Sequence, residues 1–123
     1  MGATTEAIVI RQYGGPDVMV LESVDVPAPG PGQILLKQQA ASVNFHDVYV
    51  RSGAYKTLPL PGIPGLEAVG TVEAVGAGVR DFAPGDRVAY IDRAYGGYAR
   101  ARVIPAELAV PVPDGVEAGL ATA

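Results

Sequence analysis

Short apolar runs broken by glycine and proline dominate the chain, and their alternation predicts strands rather than long helices. Glu6 to Gln12 reads as a strand with Ile8 and Ile10 on one face, and Tyr13-Gly14-Gly15-Pro16 reads as the turn that ends it. Val18 to Val26 is a second strand. Pro27-Ala28-Pro29-Gly30-Pro31-Gly32 then forces a stiff turn, because proline fixes φ and has no N–H to donate. Gln33 to Val43 returns as a longer strand. Val69 to Val75 alternates β-branched and small residues and meets the tight Gly76-Ala77-Gly78. Arg87 to Ile91, Gly97 to Ile104 and Leu108 to Val110 complete the series. So many short strands between Gly/Pro turns predict a mainly β domain with short helices, a barrel or a sandwich.

Two segments break this rhythm. Asn44 to Ser52 predicts a short helix: Asn44 can cap it, Asp47 stands three residues on as a capping-box partner, and Gly53 can end it. Asp114 to Ala123 predicts a second helix, with Asp114 as its cap and a small-residue run behind it.

Composition narrows the function classes. A chain of 123 residues with 49% hydrophobic and 18% charged residues fits one domain with a real core. The net charge of -4 and the absence of a basic stripe argue against nucleic acid as a partner. There is no cysteine, which removes disulfides, thiolate zinc sites and cysteine nucleophiles. MGATTEAIVIRQ has neither the apolar core of a secretory signal nor, with Glu at position 6, a myristoylation pattern, and no stretch has membrane-spanning length. A cytoplasmic protein without a membrane partner is the expectation.

Gly76-Ala77-Gly78 follows a strand and invites a dinucleotide reading. That reading needs a third small residue and then a helix whose N-terminus faces phosphate. Asp81 and Pro84-Gly85 stand there instead, so a plain turn is expected.

YGGPDV near the N-terminus, NFHDVYVRSGAY, PGLEAVGTVEAVG and APGDRVAY together resemble the zinc-free (zeta-crystallin-like) quinone oxidoreductases of the medium-chain dehydrogenase/reductase superfamily. The resemblance covers nearly the whole sequence. It implies a GroES-like β-barrel over residues 1–113 that supplies the catalytic cleft. It also implies that residues 114–123 begin the helix leading to a C-terminal Rossmann domain, which this sequence lacks. In such relatives that second domain binds NADPH and forms a homodimer. The implied substrates are quinones or other electron-poor carbonyls and alkenes. The alternatives are an enoyl-thioester reductase on the same scaffold and a non-enzymatic GroES-like binding module.

The same resemblance bears on metal chemistry. Zinc-dependent cousins carry a cysteine where this chain has Asn44, and a histidine where it has Leu66 before Glu67. Catalytic zinc takes three protein ligands and an open position. No metal site is therefore expected, and His46, the only histidine, is expected as a helix residue that is exposed or partly packed.

The remaining candidates are Asn44, Tyr49 and Tyr55. By its residue type Asn44 can be a helix cap, a functional amide or both, and each tyrosine can simply pack with a wet hydroxyl. The resemblance places Asn44 in the cleft near nicotinamide and substrate. It makes Tyr49 a cofactor contact and Tyr55 a residue that stacks on the ligand or donates to its oxygen. The expected roles are thus Asn44 and Tyr55 as catalytic groups, Tyr49 with Asn44 at the cofactor, Arg51 as a surface charge or structural pair, Asp47 as a capping partner and only secondarily a site residue, and Glu67 as a structural residue.

Overall fold

The computed structural model describes residues 3–122. Strands β1 (Ala3–Val9) and β2 (Val20–Val26) pair antiparallel into a two-stranded sheet. Strands β3 (Gln33–Ala41), β4 (Glu67–Val75), β5 (Arg87–Ile91), β6 (Ala101–Pro105) and β7 (Val110–Pro111) form a five-stranded antiparallel sheet in the order β6-β3-β4-β5-β7. Helix α1 spans Phe45–Ser52 and helix α2 spans Ala118–Ala121. No helix among the described residues is long and apolar enough to cross a membrane.

The segment between β5 and β6 sews the two sheets together. Ile8 N–H donates to the Tyr98 carbonyl at 2.8 Å, Arg100 N–H to Glu6 at 2.9 Å, and Gln38 N–H to Arg100 at 2.7 Å. One stretch of backbone thereby serves β1 on one side and β3 on the other, which uses edge groups that would otherwise be unpaired. The β3–β4 ladder shifts register twice, between Leu35 and Leu36 and between Gln38 and Ala40, and such bulges bend a strand. Gly70 sits at the second bend. A Cβ there would lie 2.6 Å from the Lys37 carbonyl, so only glycine admits the close approach.

Two apolar clusters fill the interior. Ile34, Leu36, Ala68, Val72, Val88, Tyr90 and Ile104 form the main core on one face of the five-stranded sheet. Ile10, Val50, Leu58 and Tyr95 form a second cluster beneath α1, flanked by Val18, Leu60 and Leu66.

The strands stand close to their expected positions, and Arg87–Ile91 matches residue for residue. Four expectations need correction. Leu108 to Val110 is not one strand: Ala106–Leu108 is a single helical turn, closed by Ala109 N–H on the Ala106 carbonyl at 3.1 Å, and the strand is Val110–Pro111. In β1 the buried residues are Ala7 and Val9, while Ile8 is only half-buried, so the inward face is one residue out of phase with the Ile8/Ile10 reading. Ile10 is buried for another reason: it has left the strand and bridges Gly62. Asp114 does not cap a helix, because Val116 N–H closes a turn onto the Pro113 carbonyl at 3.2 Å and α2 starts only after Glu117. The last expected helix residue, Ala123, lies outside the described residues. Gly97–Ile104 is shorter as a strand, because its first residues make the inter-sheet stitches instead.

Helix α1 follows its sequence signals. Asn44 and Asp47 make the capping box, with Asn44 N–H donating to Asp47 Oδ2 at 2.8 Å. Gly53 ends the helix with φ 88°. A Cβ at Gly53 would also lie 2.9 Å from the Tyr13 ring base. Gly53→Ala is therefore expected to cost about 2 kcal/mol, from left-handed backbone strain plus the contact with Tyr13. Urea unfolding of the variant against wild type checks this; a midpoint unchanged within error would refute it.

Candidate active site

The turn after α1 brings the expected residues together. Tyr55 N–H donates to the Tyr49 carbonyl at 3.1 Å, so the chain doubles back as soon as it leaves Gly53. The two tyrosine rings then meet with centroids 5.2 Å apart and tilted by 59°. Tyr55 also lies against His46, centroid to centroid 5.3 Å. Tyr49 and Tyr55 are 44% and 46% exposed, which leaves both rings available to a ligand. Beside them Val43 and Phe45 are 78% and 83% exposed, an unusual density of apolar side chains for so short a stretch.

Asn44 stands at the start of the same helix, half-buried. Its backbone is committed to the capping box, but its amide Nδ2 is buried without a hydrogen-bond partner. A buried donor left unpaired costs free energy.

Asp47 is buried and structural, as expected. Its Oδ2 accepts both Asn44 N–H and the Tyr98 hydroxyl, each at 2.8 Å, while Oδ1 has no partner. Burial first, and then the bond to Asp47, push the Tyr98 hydroxyl far above the usual tyrosine range, so it stays a donor. Arg51 is also structural: its Nε donates to the Gly14 carbonyl at 3.2 Å, and Gly14 N–H returns a bond to the Arg51 carbonyl at 3.0 Å. Glu67, on β4, accepts from Ser42 Oγ at 3.0 Å. Leu66, half-buried, packs against the second apolar cluster and carries no ligating atom.

His46 is more engaged than its sequence setting suggested. Its Nε2 lies 2.9 Å from the Tyr95 hydroxyl, which also lies 2.5 Å from Thr57 Oγ1. Tyr95 is buried and adopts φ 66°, the left-handed region. Sequence reasoning missed Tyr95, Thr57 and the buried Asp92–Arg102 pair behind them, in which Arg102 Nη2 meets Asp92 Oδ2 at 2.9 Å. Their only sequence signal was a tyrosine in front of Gly96-Gly97, which reads as one more turn residue.

A groove of about 580 Å³, lined by Ile8, Met19, Leu21, Val43 and Tyr98 among others, runs on the side of β1 and reaches this region at Val43 and Tyr98. The tyrosine pair thus lies on an open face rather than in a closed cavity.

A family model described as the alcohol dehydrogenase GroES-like domain matches residues 30–114. The chain is 43% identical over 114 residues to the 2-haloacrylate reductase of a Burkholderia species, a match covering 90% of this chain and 34% of that protein. It is 41% identical over 113 residues to the quinone oxidoreductase of Pseudomonas aeruginosa, covering 89% of this chain and 34% of that protein. A mycobacterial protein solved in complex with NADPH superposes with a TM-score of 0.83 at 43% identity, covering 93% of this chain and 34% of that one. The chain thus spans about a third of the length of the curated relatives it matches.

Proposed function

The chain belongs to the family of alcohol dehydrogenase GroES-like domains, and on that footing we propose that it is the substrate-side domain of an NADPH-dependent quinone oxidoreductase. The observation that carries the reading is the Tyr49–Tyr55 pair, two half-exposed rings in contact at the end of the helix that Asn44 opens, with the Asn44 amide Nδ2 unpartnered. A flat, electron-poor ring is the ligand that such an aromatic surface suits, and a carbonyl oxygen is what the amide lacks. The relative of that name and the mycobacterial NADPH complex support it.

NADPH, when bound, supplies the hydride. The work left to this domain is to hold and polarise the acceptor. Tyr49 rests against the nicotinamide end, while Tyr55 and Asn44 receive the quinone and donate to the oxygen that gains charge. One proton from solvent water completes the hydroquinone. The reading assigns no metal to this step: Leu66 stands in the apolar cluster where a ligand would be needed, and Asn44 offers a neutral amide. The cofactor's phosphates and the contacts of a cytoplasmic homodimer are placed in the remainder of the whole protein, beyond residues 114–123.

A second reading stays with electron-poor alkenes, because the 2-haloacrylate reductase is as similar to this chain as the quinone oxidoreductase. The test is the whole protein's NADPH oxidation with 1,4-naphthoquinone, 2-chloroacrylate and a crotonyl thioester, compared by kcat/KM. The quinone is expected to lead, and Tyr55→Phe to lower its kcat/KM about tenfold, the worth of one hydrogen bond. Preference for the acrylate would move the assignment to the alkene reading. Unchanged constants in both Tyr49→Phe and Tyr55→Phe would remove the site altogether.

A further inference from the structure

We infer that Tyr95 is a positioning residue for the tyrosine surface: its hydroxyl, shared by His46 and Thr57, holds the His46, Tyr55 and Tyr49 rings in the arrangement that receives the substrate. The inference rests on the reading of that surface as the substrate site.

The backbone at Tyr95 is the first reason. A φ of 66° is rare for a bulky residue and persists only where the surroundings over-determine it. Here they do. Tyr95 N–H donates to the Asp92 carbonyl at 3.0 Å, Ala94 N–H to Asp92 Oδ1 at 2.8 Å, and Gly96 N–H to the Ile63 carbonyl at 2.9 Å. Arg102 Nη1 donates to the Tyr95 carbonyl, and Nη2 of the same guanidinium is fixed by Asp92 Oδ2 at 2.9 Å. Both sides of the residue are therefore clamped, and the clamp decides where the side chain points.

The side chain is the second reason. Its ring is 4% exposed and packs with Ile10, Val50 and Leu58, a setting that phenylalanine would fill as well. Only the hydroxyl is left over. It ends between His46 Nε2 at 2.9 Å and Thr57 Oγ1 at 2.5 Å, and a hydroxyl can donate to one partner while accepting from the other. His46 lies in the first turn of α1, before Tyr49, and Thr57 lies two residues after Tyr55. One buried atom thus ties down both ends of the segment that carries the two site tyrosines. The rings extend that order outward, Tyr95 to His46 at 5.8 Å, His46 to Tyr55 at 5.3 Å and Tyr55 to Tyr49 at 5.2 Å. The inner end of the row is clamped and the outer end is exposed, which is the arrangement of a support beneath a binding surface.

Two readouts test this. Proton NMR of the chain reads the ring-to-ring cross-peaks between His46 and Tyr55. Steady-state reduction of 1,4-naphthoquinone by the whole protein reads the consequence. Tyr95→Phe and Thr57→Val are expected to weaken the cross-peaks and raise KM about tenfold, with the thermal midpoint nearly unchanged. Thr57→Ser, which keeps the hydroxyl, is expected to retain both. Cross-peaks or KM unchanged in a folded Tyr95→Phe overturn the inference while Tyr55→Phe still slows reduction. If Tyr95→Phe does not fold, Thr57→Val decides by the same readouts. If Tyr55→Phe is also without effect, the substrate site itself has been misplaced, and the cross-peaks then report only on packing.

Discussion

Asp92→Ala is expected to destabilise the domain by about 3–5 kcal/mol, the cost of leaving one member of a buried ion pair behind. The side chains of Arg102 and Asp92 are 16% and 11% exposed, so water can replace only part of what each partner supplies. Asp92 does more than pair. Its Oδ1 accepts Ala94 N–H at 2.8 Å while Oδ2 accepts Arg102, so the carboxylate fixes the loop and the strand together. Arg102 also sits over the Tyr90 ring, 5.3 Å from its centroid, and burial pushes the Tyr90 hydroxyl above its ordinary range. That hydroxyl donates to Gln38 Oε1, and Gln38 Nε2 donates in turn to the Gly97 and Ala99 carbonyls at 3.0 and 2.7 Å. The network thus spans β3, β5, β6 and the stitching segment that closes the two sheets. Urea unfolding measures the loss, and the slope should stay that of the wild type if the native state is otherwise intact. Asp92→Asn keeps one acceptor oxygen, enough for Ala94 N–H, and should recover only part of the loss. The double replacement Asp92→Leu with Arg102→Met removes both charges and should recover the part of the loss due to the stranded charge, but not the bonds to Ala94 N–H and the Tyr95 carbonyl. A single Asp92→Ala midpoint within 0.5 kcal/mol of wild type, a difference of about twofold in the equilibrium constant, would show that the pair is solvated in solution.

What could be seen in advance follows from how local each signal is. The cap at Asn44, the stop at Gly53 and the alternation of Arg87–Ile91 are set by neighbours in sequence, and they stand where they were read. The phase of β1 is not local. Alanine at position 7 carries almost no hydrophobic signal beside Ile8, yet the stitches to Tyr98 and Arg100 turn Ala7 inward. The same holds at the site. Tyr49 and Tyr55 are six residues apart across a helix stop, so their meeting could be argued from the chain, and the Tyr55–Tyr49 backbone bond explains it. Tyr95 is 49 residues from His46 and 38 from Thr57, and Asp92 is 10 from Arg102 on the far side of a loop. Nothing in a single sequence ties such residues together. The polar support beneath the two rings was therefore invisible, while Tyr49 and Tyr55 are singled out through the family resemblance.

On the proposed function, the largest kinetic effect is expected at Asn44, where the observed cap and the proposed donor role can be separated. Its backbone and side chain close the capping box of α1, and its Nδ2 is buried with no partner. Serine caps a helix about as well as asparagine but has no amide to offer. Asn44→Ser should therefore leave stability close to wild type, helped by the removal of an unpaired donor, while kcat/KM for 1,4-naphthoquinone falls about 100-fold. That fall is the size seen when one preorganised donor to a developing oxyanion is removed. Asn44→Ala should show the same kinetic loss together with about 1 kcal/mol of lost stability, because the cap goes as well. The comparison of the two variants carries the argument. If Asn44→Ser keeps wild-type constants, Asn44 is only a cap and the acceptor oxygen lies elsewhere. If both variants lose activity in proportion to stability, the effect travels through α1 and the displaced tyrosines. Loss of activity in a fully stable Asn44→Ser is the outcome that a bound carbonyl oxygen at Nδ2 requires.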